Sequence, residues 1–144
     1  MGRNGLGGSG RGTTPSDSTS YDGVFVVATS PINRIVITRM VERIYLKAMA
    51  ITPETALDAL RAKRPMMVII DEGRQPDLIE PLIEEIARLR SAFTARLPRI
   101  VLIVEASRQN EARRDGIVDA VVVKPITPEV LQPIVDRLSK GAAI

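Results

Sequence analysis

A chain of 144 residues with 20 basic and 17 acidic side chains, net charge +3, has room for one domain with a real core. Its positive charges are spread out, so no basic tract is present to hold nucleic acid. It has no cysteine and no histidine, which excludes disulfides, thiol chemistry, cysteine-based zinc sites and any histidine nucleophile or base on this chain.

Residues 1–22 are rich in Gly, Ser and Thr with sparse charge. Such a segment cannot bury enough apolar surface to offset its ordering entropy, and it reads as a disordered tail ahead of a domain over 23–144. It lacks the apolar stretch of a secretory leader, and no run in the chain reaches membrane-spanning length. A cytoplasmic protein without membrane contact is expected.

From residue 23 short apolar runs alternate with helical patterns. Val24–Ala28 reads as a buried strand. Ser30-Pro31 then starts a helix, Ser as cap and Pro at the first position, with an inner face expected at Ile32, Ile35, Val36, Met40 and Ile44. Leu46–Ile51 reads as a second strand. Thr52-Pro53 starts a second helix facing inward through Ala56, Leu57 and Leu60. Met66–Ile70 is a third strand ending at Asp71. A longer helix is expected from about Leu78 or Pro81 to about Ala95, with Leu82, Ile86, Leu89 and Phe93 inside. Arg99–Val104 and Ala120–Val123 are the last two strands, separated by a short polar helix through Arg108–Arg114. A final helix begins at Thr127-Pro128-Glu129 and carries Pro133 inside it.

Strands and helices in strict alternation call for an α/β fold, a parallel sheet with helices on both faces. Five strands point to a doubly wound sheet of order 2-1-3-4-5. That order gathers four strand tips at one edge: Ala28-Thr29, Asp71, Glu105-Ala106 and Lys124. Charged residues at such tips are where open α/β sheets place their chemistry.

The run Met-Val-Ile-Ile-Asp71, the run Val-Val-Val-Lys124-Pro125 and the segment Val101–Ser107 together resemble the receiver domain of bacterial response regulators, a chemotaxis-type, flavodoxin-like fold. The resemblance covers roughly residues 23–140. It implies a phosphoryl group accepted on Asp71 from a histidine kinase, a divalent metal held by that Asp and an acidic pair after the first strand, and Lys124 neutralising the phosphoryl charge. Three positions depart from the pattern. The acidic pair falls on Ala28-Thr29 or Thr29-Ser30, so Mg²⁺ is expected to bind weakly or not at all. The switch hydroxyl position is Glu105, although Ser107 lies two residues on. The switch aromatic position is Val121.

The expected protein is therefore a degenerate, stand-alone receiver in phosphorelay signalling, not an enzyme, acting mainly through protein contacts. Asp71 is the candidate phospho-acceptor. Lys124, Glu105, Thr29 and Ser107 are candidates for a phosphate pocket or an internal lock, with Lys124 expected to pair with Asp71 or Glu105. Ser30 is read as a helix cap before a phosphate ligand. Arg108, Arg113, Arg114 and Val121 form the candidate face for a protein partner such as a histidine kinase or regulator, on a monomer or weak dimer. The alternative is a working receiver phosphorylated on Asp71. A flavodoxin-like ligand binder ranks behind both, because no Gly-rich loop joins a strand to a helix and only Tyr21, Phe25, Tyr45 and Phe93 are aromatic.

Overall fold

The computed structural model describes residues 19–73, 75–92, 97–111 and 117–141. Five strands are β1 (Thr19–Ala28), β2 (Ala48–Ile51), β3 (Lys63–Asp71), β4 (Arg99–Val104) and β5 (Ala120–Val123). Four helices are α1 (Pro31–Glu42), α2 (Pro53–Ala62), α3 (Pro76–Ala92) and α4 (Pro128–Gly141). The strands form one parallel sheet of order β2-β1-β3-β4-β5, the order expected from the alternation.

Side chains alternate across each strand, and the β-branched runs are apolar on both faces. Val24, Val26, Met67, Ile69, Val101, Ile103 and Val122 pack with Ile37, Met40 and Val41 of α1 and Leu131 and Val135 of α4. Phe25, Val27, Val68, Ile70, Ile100, Leu102 and Val104 pack with Ala56 and Leu60 of α2 and with Ile79, Leu82, Ile83 and Ile86 of α3. Each fully buried aliphatic side chain contributes about 1.5–3 kcal/mol of transfer free energy. Gln132 Nε2 donates to Met40 O at 2.9 Å, tying α4 to α1. On the opposite face Glu85 of α3 pairs with Arg61 of α2 and with Arg88.

Both proline-led helix starts are present. Ser30 accepts from Asn33 N at 3.2 Å and caps α1. Thr52 holds the cap position of α2 without a side-chain cap bond, its hydroxyl lying 3.1 Å from that of Thr55. Pro133 lies inside α4.

Several expectations are corrected. The apolar face of α1 is turned: Ile37, Met40 and Val41 are buried, while Ile32, Ile35 and Val36 are 72%, 55% and 42% exposed. Of the expected inner residues, Met40 is buried and Ile44 packs against the α1–α4 side of the core. Among the described residues the β4–β5 connection holds a 3-10 turn, Ala106–Arg108, followed by turn residues to Glu111, where a helix through Arg114 is expected. Residues 112–116 and Phe93 lie outside the described residues, as do residues 1–18. The helix after β3 begins at Pro76, because proline suits a first helical position. Backbone pairing also lengthens β1 and β3 beyond their apolar runs: Thr19–Tyr21 pair with Lys63–Pro65, with a register irregularity between Tyr21 and Val24. Leu46 and Lys47 precede β2.

Candidate functional site at the carboxyl edge of the sheet

Register sets the site. Asp71, the last residue of β3, lies between Ala28, the last residue of β1, and Ile103 of β4. Main-chain bonds from Glu72 N to Ile103 O and from Lys124 N to Val104 O, both 2.9 Å, hold the segments after β3 and β5 against β4. The Lys124–Pro125 peptide is cis.

Asp71 is 2% exposed. A carboxylate so placed is costly unless its oxygens are partnered, and both are. Oδ1 lies 3.0 Å from Lys124 Nζ and accepts from Gly73 N at 3.1 Å. Oδ2 accepts from Asn33 Nδ2 at 2.7 Å. Gly73 has a φ of 63°, the left-handed backbone that glycine adopts without a β-carbon clash as the chain turns away from β3. Lys124 Nζ also lies 3.4 Å from Glu105 Oε2. The ammonium is thus shared between two carboxylates. Burial pulls its pKa down, but the hydrogen bond and charge of Asp71, and then those of Glu105, outweigh burial and hold it above the ordinary lysine value.

Asp71, Lys124 and Glu105 therefore converge. Thr29 and Ser107 are exposed, and no hydrogen bond joins either side chain to those three among the described residues. Of the candidate partner face, Arg108 is turned inward, Val121 packs against the α2–α3 side of the core, and Arg113 and Arg114 lie outside the described residues.

Two arrangements are not signalled by any motif. Glu72 is 1% exposed and is gripped by Arg108, Nε to Oε1 at 3.0 Å and one terminal nitrogen to Oε2 at 3.1 Å. Arg108 also reaches Glu111 at 2.7 Å. The guanidinium pKa is raised, first by the hydrogen bond to Glu72. The second is Arg34, whose guanidinium donates to Ala28 O at 2.6 Å and Thr29 O at 3.1 Å. Ser30-Pro31 sets the helix start and so places Asn33 and Arg34 in its first turn, but it does not say which way their side chains reach.

The residues present do not fit a divalent metal. Mg²⁺ demands oxygen donors in near-octahedral array and one or two carboxylates. Here Glu72 is held by Arg108, Glu105 and Asp71 share Lys124, and no acid follows β1. Among the described residues no group of three or more His, Cys, Asp or Glu is placed to hold an ion.

Solved structures share this architecture. A CheY-like response regulator receiver domain from Methylobacillus flagellatus superposes with a TM-score of 0.63 at 18% identity, covering 82% of this chain and 98% of that one. The fold is that of a response-regulator receiver domain. A receiver protein from Burkholderia phymatum matches with a TM-score of 0.67 at 19% identity, over 83% of this chain and 95% of its own. The receiver domain of a signal transduction histidine kinase from Syntrophus aciditrophicus matches at 0.62 and 19%, over 83% and 91%. No family model and no curated protein matches the sequence. Within the receiver fold, Asp71 and Lys124 stand at the tips of β3 and β5. No helix among the described residues is long and apolar enough to cross a membrane.

Proposed function

We propose that this chain is a non-enzymatic receiver module of phosphorelay signalling that works mainly by protein contact, with its metal and phosphorylation switch weakened or absent. One observation carries the reading: Lys124 is already shared between Asp71 and Glu105, at 3.0 and 3.4 Å. In that arrangement Glu105 holds the ammonium that a phosphoryl group on Asp71 would need. The partner is a histidine kinase or a regulator protein.

The docking face best supported is α1. Ile32, Ile35, Val36, Arg39 and Arg43 follow helical spacing on its exposed side, apolar near the site and cationic at the far end. Its complement is an amphipathic helix of the partner with an apolar stripe beside carboxylates. The face through Arg108, Arg113, Arg114 and Val121 is the competing one. Pull-downs against the histidine kinases and regulators of the same cell separate the two: loss with Ile32→Ser/Ile35→Ser and retention with Arg113→Glu/Arg114→Glu is expected. The reverse pattern moves the partner to the β4–β5 connection.

A second reading, a receiver phosphorylated on Asp71, draws on the 3.0 Å Lys124–Asp71 contact. Amide-resolved NMR with Mg²⁺, then Mg²⁺ and beryllofluoride, decides between them, with Asp71→Asn as control. No response at Gly73, Glu105 and Lys124 is expected. Shifts that vanish in Asp71→Asn would establish the phospho-switch instead.

A further inference from the structure

A carboxylate beside main-chain carbonyls at a strand tip is, chemically, a set of hard oxygen donors of the kind cations take. Ala28 is the register partner of Asp71 on β1. Its carbonyl oxygen and that of Thr29 both accept from one nitrogen of Arg34, at 2.6 and 3.1 Å. The neighbouring Asn33 amide takes Asp71 Oδ2 at 2.7 Å. We infer that Arg34 is the resident cation of this site: its guanidinium takes the carbonyl donors beside Asp71 and keeps a divalent ion out. This deepens the proposed reading and rests on it.

Position supports the assignment. Arg34 is the fourth residue of α1, and the first turn of that helix holds no acid. The positive pole of a helix disfavours a cation there, so its placement is offset by the two carbonyls it reaches. Arg108 closes Glu72 and Lys124 bridges Asp71 and Glu105. A divalent ion added to this set would meet carboxylates that already hold cations and carbonyl donors that Arg34 has taken.

The assignment differs from a plain loop staple in what it predicts for an added acid. A staple needs only a donor, and its removal loosens the loop without creating an ion site. A resident cation must leave before another enters. The test therefore installs a carboxylate after β1, with Arg34 present and with Arg34 removed. Mg²⁺ is titrated into the full chain, and the Asn33 side-chain amide and the Gly73 and Lys124 backbone amides are followed by NMR.

Wild type should stay silent. Thr29→Asp alone should also stay nearly silent, because Arg34 pairs with the new carboxylate. Thr29→Asp/Arg34→Ala should bind Mg²⁺ in the millimolar range, about tenfold or more tighter than Thr29→Asp alone. Thr29→Asp/Arg34→Gln guards against a fold defect, since it keeps a donor to the carbonyls without the charge. Thermal unfolding of each variant confirms that the fold is kept. Equal Mg²⁺ affinity with and without Arg34, or silence in both folded double variants, overturns the assignment and leaves the proposed function standing. Mg²⁺-dependent shifts in wild type overturn both.

Discussion

Lys124 serves two carboxylates, and Asp71 is 2% exposed, so the pair is worth testing one side chain at a time. Lys124→Met leaves Asp71 buried with only neutral donors from Asn33 and Gly73. The expected loss is about 3 kcal/mol, the low end for breaking a buried pair, read from urea unfolding at neutral pH. The pH dependence follows from the direction of the shift. The folded ammonium binds its proton more tightly than the unfolded one, so its contribution is complete below the ordinary lysine value of 10.5. It is lost as pH rises through the higher folded value. The gap between wild type and Lys124→Met should stay constant through neutral pH and narrow in strong alkali. A gap unchanged in strong alkali would show that the folded pair does not hold the ammonium's proton. At this scale the sequence made Asp71, Glu105 and Lys124 legible, because strand order alone gathers strand tips. It did not disclose the Arg108–Glu72 grip or Arg34. Both depend on long, flexible side chains reaching back over a tip, and spacing in the sequence says nothing about which way they turn.

Among the elements, α1 is where periodicity misleads. Its apolar residues at 32, 35, 36, 37, 40, 41 and 44 contain two overlapping stripes of helical spacing, and either one satisfies the pattern. The structure buries Ile37, Met40 and Val41. Packing against both β1 and α4 decides it, and that choice is tertiary. Ile37→Ala should cost about 3 kcal/mol through a cavity, whereas Ile32→Ala should stay within about 0.5 kcal/mol of wild type. Comparable losses from the two would mean that the helix is rotated from the orientation described. The turn after α1 offers a gain. Tyr45 has a φ of 67° and is 95% exposed, a left-handed residue with a β-carbon and little packing to compensate it. Tyr45→Gly should raise stability by about 1 kcal/mol, visible as a higher thermal midpoint. Between β4 and β5 a short polar helix is expected through Arg108–Arg114, and the described part of that connection is a 3-10 turn at Ala106–Arg108 with turn residues to Glu111.

Among the described residues the sheet carries two cores, one on each face. Ile69 and Ile70 are neighbours on β3, both fully buried, one facing α1 and α4 and the other α2 and α3. Ile69→Ala and Ile70→Ala should each cost about 3 kcal/mol, and each variant should still unfold in one transition. Far-UV circular dichroism in urea is the measurement, since the chain has no tryptophan. Two separated transitions in either variant would show that the halves are independent. The fold was legible at this scale because strand alternation, length and right-handed crossover leave few topologies open. The sharing of Lys124 has one more consequence. Glu105 begins the β4–β5 connection and Asp71 ends β3, so an event that draws Glu105 away alters what Asp71 experiences. Linkage makes that effect reciprocal: whatever factor an event at Asp71 imposes on binding at the β4–β5 connection, binding there returns to Asp71 unchanged. The ammonium is then a ledger between two surfaces, and either can be read by perturbing the other.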